Sequence, residues 1–231
     1  MISIVVPVYN ESENVVPLID EIDLKIKTPK KVIFIYDMDD DNTLPVIKRI
    51  YNKYSFNIET IKNEYGRGVL NAIKTGLEYS QTKALLVVMA DLSDDLSIVD
   101  EMYEMINLGY DVVCGSRYMK GGQQIGGPLI KKTMSCLAGL SLHYLTKIPT
   151  HDISNSFKMY KKDFLNQITI ESDGGFEIGM EICVKAFVAG KKIGEIPSVW
   201  RDRVKGKSRF KILNWLPKYL RWYFYAFRKF F

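Results

Sequence analysis

Apolar residues come in short blocks along the chain, and the spacing within successive blocks switches between that of a strand and that of a helix. Ile2–Val8 is a nearly unbroken apolar run, the pattern of a strand buried on both faces, ending at Pro7. Ser12 is a candidate cap for a helix whose apolar face is Val15, Leu18, Ile19, Ile22 and Ile26, at spacings of three and four. Val32–Tyr36 and Ile58–Lys62 are β-rich runs. After them, Thr43 with Pro45, and Gly66 with Gly68, mark helix starts, the second helix running through Leu77. Ala84–Met89 is a strongly apolar strand, followed by a helix to about Leu108 and a strand at Asp111–Gly115. Strand–helix alternation of this kind predicts an α/β fold, a sheet with helices on both faces.

The second half is less regular. Tyr118–Gly127 is Gly-rich and predicts a mobile loop. Leu129–Leu145 reads as a mostly apolar helix, Ser156–Tyr160 as a strand, Phe176–Ala189 as a helix and Lys192–Pro197 as a short strand. No internal repeat or flexible linker divides the chain, so residues 1–211 are expected to form one domain and 212–231 a basic aromatic helix appended to it.

At 231 residues, 47% hydrophobic and 26% charged, the chain has the composition of one folded domain rather than a disordered segment. Its first residues lack the basic leader and long apolar run of a signal peptide. Three scattered cysteines, Cys114, Cys136 and Cys183, without CxxC spacing, argue against a disulfide frame or zinc site and suit a reducing cytoplasm. The net charge of +5 is unevenly spread: Arg203–Phe231 holds nine Lys/Arg and no Asp/Glu, leaving −4 on the first 202 residues. A basic tail on an acidic body predicts an anionic partner.

Ligands of open α/β sheets bind beyond the carboxyl ends of the strands. Four such ends carry polar clusters here: Pro7–Glu11, Asp37–Asp41, Ala90–Asp95 and Gly115–Arg117. One acidic loop is usually a solvated turn, but four at corresponding ends suit a cleft for a metal–phosphate ligand. No GxGxxG follows the first strand, which disfavours an NAD enzyme.

The order of these motifs resembles family 2 glycosyltransferases. Val6-Pro-Val-Tyr-Asn-Glu11 resembles that family's opening motif. Asp37-x-Asp39-x-Asp41-x-Thr43 resembles its "DDxSxDxT" loop, with Tyr36 in place of the first Asp. Gly66-Arg-Gly-x-x-x-Ala72-x-x-x-Gly76, Met89-Ala-Asp91-Leu92, Gly115-Ser-Arg117, Asp152-Ile-Ser-Asn-Ser-Phe157 and Arg203-x-x-Gly206-x-Ser208-Arg209 follow in the family's order. The best subgroup match is the dolichol- or polyprenyl-phosphate sugar transferases. The resemblance implies a GT-A fold in which Pro7, Tyr9, Glu11, Asp37, Asp39, Arg67 and Ala90 line the nucleotide-sugar site.

It also implies that Asp91 holds a divalent Mg2+ or Mn2+ ion. Such an ion neutralises a departing diphosphate, and magnesium often takes only one or two carboxylates. Met89 stands where the family often has a first Asp, and a thioether is a poor ligand for a hard cation; Ser93, Asp94 or water would then complete the shell. Arg117 and Arg203 resemble phosphate-binding arginines, whose guanidinium forks match phosphate oxygens. Lys131 and Lys132 fall near another basic position of the subgroup, with surface lysine as the simpler reading. Asp152 is the candidate base toward a hydroxyl acceptor; a lipid phosphate, already anionic, needs none. Glu177 and Glu181 share one helix face, from which Glu177 is a candidate for sugar hydroxyls.

Ile212–Phe231 interleaves nine aromatic residues with Lys218, Arg221, Arg228 and Lys229. Those charges disfavour a spanning helix and suit one lying in the headgroup layer of an anionic membrane, with burial on the protein's own core as the alternative. Nucleic acid is disfavoured, because the body is acidic and carries no recognition motif. The expected activity is therefore metal-dependent, inverting transfer from a nucleoside diphosphate sugar to a polyprenyl phosphate, by an enzyme that is cytoplasmic and peripherally membrane-associated. A glycan hydroxyl acceptor, or an inactive nucleotide-binding scaffold, stays open as an alternative, as does oligomerisation.

Overall fold

A computed structural model describes residues 1–203 and 212–230. Strands β1 (Ile2–Val8), β2 (Lys30–Tyr36), β3 (Asn57–Lys62) and β4 (Ala84–Val87) alternate with helices α1 (Val15–Lys25), α2 (Thr43–Ile50) and α3 (Val69–Tyr79). Helix α4 (Val99–Asn107) then leads to β5 (Val112–Ser116), β6 (Gln123–Ile125) and α5 (Leu129–Thr146). The chain continues through β7 (Lys158–Lys161), α6 (Lys162–Leu165), α7 (Ile178–Val188), β8 (Ile193–Pro197), β9 (Val199–Arg201) and α8 (Ile212–Tyr225).

Seven strands form one sheet in the order β3-β2-β1-β4-β7-β5-β8, parallel except where β7 runs against its neighbours β4 and β5. The register pairs Val8 with Tyr36, and Tyr36 with Lys62, so the loops after β1, β2 and β3 emerge side by side. The ends of β4 and β5 point to the same edge, because each is antiparallel to the shared neighbour β7.

Strand period two divides the core. Ile4, Val6, Phe34 and Leu86 pack with Leu18, Ile19 and Ile22 of α1 and Val99 and Met102 of α4. The intervening residues face the opposite layer, where Val5, Ile33 and Ile35 meet Ala72 of α3. A β-carbon at Gly76 would lie 2.2 Å from the Val5 side chain, so glycine lets α3 rest directly on β1.

Three expectations change. Ser12 caps no helix; α1 begins at Val15 with no side-chain cap, and the Ser12 N–H instead donates to Asn42 Oδ1 at 3.2 Å. The segment expected to be a mobile loop contains β6, which pairs in parallel with β9, Gln123 opposite Val199. That pairing joins segments about 75 residues apart, so no local pattern announces it. The C-terminal helix buries part of its aromatic face on the protein's own core, the alternative to a wholly membrane-facing helix. Trp222 is 1% exposed and Ala226 fully buried, packed with Ile182 and Cys183 of α7 in the second core cluster. Its opposite stripe, Leu216, Leu220 and Phe224, faces solvent at helical spacing.

Trp222→Ala should therefore lower unfolding stability by about 3–5 kcal/mol, as for other large core truncations. Urea denaturation checks this: an unchanged midpoint would show that α8 contributes little to the core.

Candidate active site

A cavity of about 720 Å³ opens at the carboxyl ends of β1, β2 and β4. Pro7, Tyr9 and Glu11 line it after β1, Asp37 after β2, Arg67 and Gly68 before α3, and Met89, Ala90 and Asp91 after β4. Phe176, Arg203 and Trp215 complete its far side.

The first two loops are locked together by hydrogen bonds. Asn10 adopts a left-handed conformation (φ 57°), which Asn tolerates better than most residues, and its N–H donates to both Asp41 oxygens at 3.2 and 3.1 Å. Glu11 N–H donates to Thr43 Oγ1 at 2.9 Å, and Thr43 N–H to Asp41 Oδ1 at 2.8 Å. Asp41 is 1% exposed, so its carboxylate organises the rim and contacts no ligand space. Asp37 reaches across instead, accepting from Asn63 Nδ2 at 2.8 Å and from Gly68 N–H at 2.9 Å. Gly68 holds φ 126°, a conformation that favours glycine. Asp39, expected in this site, is exposed, pairs with Lys62 and lies outside the cavity lining.

Asp91 is 9% exposed, with Ser93 N–H donating to Oδ1 at 3.2 Å and Arg203 Nη2 lying 2.6 Å from Oδ2. Arg203 is delivered by β9, whose Arg201 N–H donates to Ser93 O at 3.0 Å. Asp95 starts the following turn by accepting from Ser97 N–H at 3.1 Å. Asp94 is buried and accepts from Met89 N–H at 3.3 Å. Burial, then the negative charge of Asp91, pushes the Asp94 carboxyl up to about 7.

Among the described residues no cluster of three or more His, Cys, Asp or Glu side chains could hold a metal ion alone. Asp91, the carboxylate of this strand end that lines the cavity, nevertheless fits a hard divalent ion whose shell is completed by phosphate oxygens and water, while Asp94 lies outside the lining.

Arg117 and Asp152 sit differently from expectation. Neither lines the cavity, and each is the other's principal partner. Asp152, fully buried, accepts from Arg117 Nε at 2.6 Å, Nη2 at 2.8 Å and backbone N–H at 3.0 Å. Burial alone would raise this carboxyl, but the guanidinium charge and its hydrogen bonds win and hold it below its usual range. A base so tied is poorly placed to take a proton. Glu177 is likewise fully buried, with Gly174 and Gly175 N–H donating to its two oxygens at 2.7 and 2.6 Å, so it is not offered to sugar hydroxyls. Lys132 donates to Gln124 O at 3.2 Å, and neither it nor Lys131 lines the cavity. Gly206, Ser208 and Arg209 lie outside the described residues.

Phe176 and Trp215 are among the lining residues that sequence reasoning missed, with Glu13, Asn14, Asn42 and Val69. Nothing local marks the two aromatics, since they come from segments remote from the other motifs. The structural work of Asp41 and Thr43 was signalled only by their motif.

Asp152→Asn and Arg117→Ala should each cost about 3–5 kcal/mol of stability, because each strands a buried partner. Arg117→Met combined with Asp152→Leu should cost less than the sum of the two single losses. With a lowered folded pKa, the Asp152 contribution is present above its unfolded value near pH 4 and disappears as pH falls through the folded value. Denaturant melts of wild type and Asp152→Asn from pH 7 to 3 should converge in acid; a pH-independent gap would contradict the pairing.

Comparison with known proteins agrees with the geometry. The sequence profile of glycosyl transferase family 2 matches residues 3–169. Dolichol-phosphate mannosyltransferase of Pyrococcus furiosus is 26% identical over 232 residues, covering 96% of this chain and 64% of that protein. The chain thus spans somewhat less than two thirds of that relative's length. Dolichyl-phosphate hexose transferase of Haloferax volcanii is 23% identical over 204 residues, covering 87% of this chain and 83% of the relative. Glucosyl-3-phosphoglycerate synthase from Mycobacterium tuberculosis, solved with UDP, superposes with a TM-score of 0.68 at 13% identity, covering 99% of this chain and 79% of that one. A mannosyltransferase from Pyrobaculum calidifontis, solved with GDP-Man and Mn2+, superposes with a TM-score of 0.65 at 15% identity, covering 90% of this chain and 58% of that one. At such identities the superpositions speak for the fold, and the profile match for the family. The sheet order, the polar strand ends gathered on one cavity and these likenesses have one conclusion: the chain belongs to glycosyl transferase family 2 and has the GT-A fold.

Proposed function

We propose that this protein transfers a hexosyl group from a nucleoside diphosphate sugar to a polyprenyl phosphate, with inversion, at an anionic membrane surface. The observation that carries the reading is that Asp37, Arg67, Asp91 and Arg203 line one cavity, with Asp91 and Arg203 meeting near the β4 end. The two relatives named for dolichol-phosphate chemistry support the acceptor class.

The loops after β1, β2 and β3 take the nucleoside, with Asp37 and Arg67 as its polar contacts. Asp91 would hold a Mg2+ or Mn2+ ion, which supplies charge neutralisation for the departing diphosphate. Arg203, now paired with Asp91, is the cation positioned to share that diphosphate charge. An oxygen of the acceptor phosphate attacks the anomeric carbon as the bond to the nucleoside diphosphate breaks, and the bonding electrons leave with the diphosphate. The attacking oxygen carries no proton that must be removed. The sequestration of Asp152 by Arg117 supports this acceptor over a hydroxyl, which would need a base. Arg117 and Asp152 serve as the buried pair that shapes the β5 end.

Membrane attachment finds support in a surface different from the one expected. Trp222 belongs to the core, whereas Leu220 and Phe224 of α8, with Leu137 and Tyr144 of α5, present exposed apolar side chains. The two helices are joined by a Tyr223 Oη–Ser141 Oγ hydrogen bond at 3.0 Å. Among the described residues no helix is long and apolar enough to cross a membrane, so these faces suit the headgroup layer.

Asp91→Asn should reduce transfer at least about a hundredfold while leaving the fold intact. Transfer to a short-chain polyprenyl phosphate, assayed with Mg2+ and with EDTA, tests this; near-normal turnover or unchanged metal dependence would remove Asp91 from its role. Leu220→Glu with Phe224→Glu should abolish co-flotation with anionic vesicles without lowering the melting temperature. Wild-type protein that fails to float would overturn the membrane assignment.

A further inference from the structure

The segment 171–176, whose last residue Phe176 lines the cavity, is fastened from both sides. On the α7 side, Glu181 is fully buried and accepts from Glu171 and Ser172 N–H at 2.6 and 2.8 Å, while Glu177 accepts from Gly174 and Gly175 N–H. Two carboxylates thus hold four successive-turn amides, a strong fixation because charge-assisted hydrogen bonds gain strength where water is absent. On the α8 side, Arg221 pairs with Glu171 at 2.5 Å, Trp222 Nε1 donates to Ser172 Oγ at 3.0 Å and Lys218 Nζ donates to Asp173 O at 3.0 Å. Trp215 comes next along this line. A β-carbon at Gly175 would lie 2.7 Å from its indole, so the glycine backbone passes directly beneath the ring. Phe176 meets Trp215 with ring centroids 5.3 Å apart at 48°. The result is an aromatic corner, both of whose members line the cavity beside Asp91 and Arg203.

This corner shares its cavity with Asp37, Arg67 and Asp91. The nucleoside contacts lie on the β3-β2-β1 side, Asp91 follows β4, and Phe176 and Trp215 come from the other half of the chain. Resting on the donor reading above, the group next beyond the diphosphate is the transferred sugar. A pyranose has a face of C–H groups with slight positive charge and a rim of hydroxyls. An aromatic face is electronegative and apolar, so it matches the first and leaves the second free. Glu177, the nearest acid in sequence to Phe176, is withheld from sugar hydroxyls by the glycine amides, which leaves this part of the wall aromatic in character.

We propose that Phe176 and Trp215 form the subsite for the transferred sugar, stacking on a C–H face of its ring, and that Glu177 and Glu181 are positioning residues that hold this wall. The subsite contributes to the affinity of the nucleotide sugar and not to that of the nucleotide alone.

The test compares UDP with UDP-glucose and GDP with GDP-mannose by titration calorimetry, in the presence of Mg2+, for wild type, Trp215→Leu, Trp215→Phe and Phe176→Leu. For the nucleotide that wild type binds, the leucine variants should leave the diphosphate Kd within about twofold and weaken the sugar nucleotide about tenfold, the scale of one aromatic contact. Trp215→Phe should recover part of the loss, which a merely structural defect would not do. Equal weakening of both ligands, or loss confined to the KM for polyprenyl phosphate, would overturn the sugar subsite. Failure of wild type to bind any of the four ligands would instead overturn the donor reading, and the subsite with it. For the positioning residues, Glu177→Gln should lower kcat and weaken the sugar nucleotide while the diphosphate Kd holds; a fall in melting temperature with both affinities unchanged would overturn that role.

Discussion

Parallel pairing of β1 between β2 and β4 is the constraint from which the rest follows. Strands that run the same way put their carboxyl ends on one edge, and each return crossing requires a helix on one face or the other. Both faces of β1 are therefore covered, Ile4 and Val6 by one helical layer and Val5 by the other. Polar groups excluded from such a core collect in the loops at the carboxyl edge. The cavity is a consequence of topology before it is a matter of any one side chain.

Charge at that edge is managed by pairing. Asp41 is spent on backbone amides and fixes the loops after β1 and β2 relative to one another. Asp152 is spent on Arg117, and Glu177 and Glu181 on the amides of the segment beneath α8. Asp91 pairs with Arg203 at the end of β4 and, unlike those carboxylates, lines the cavity. The same sorting explains why a buried acid is weak evidence for catalysis until its partners are known.

The C-terminal helix links the core to the site. Trp222 and Ala226 anchor it against α7, and about two turns before Trp222 the Trp215 side chain lines the cavity. One helix thus serves the hydrophobic core on one face, the cavity wall near its start and an exposed apolar stripe on the other face.

Much of this was written in local pattern. The short apolar runs Ile2–Val8 and Val32–Tyr36, and the three-four spacing from Val15 to Ile26, determine the strands, the helices and the α/β class, because each depends on neighbours within a few residues. The order of short motifs gave Pro7, Tyr9, Glu11, Asp37, Arg67, Ala90, Asp91 and Arg203, all of which line the cavity. Asp39 was misread for a simple reason: residues two apart in a loop share a motif but need not share a direction, and this carboxylate turns to Lys62. Whether Asp152 is a base or a partner of Arg117, whether Tyr118–Gly127 moves or pairs with β9, and whether Trp222 meets lipid or core could be decided only by contacts between distant segments. Burial and partnership are properties of the packed chain. Composition determined that the tail was aromatic and basic, and tertiary structure decided which of its faces is left for anything else to bind.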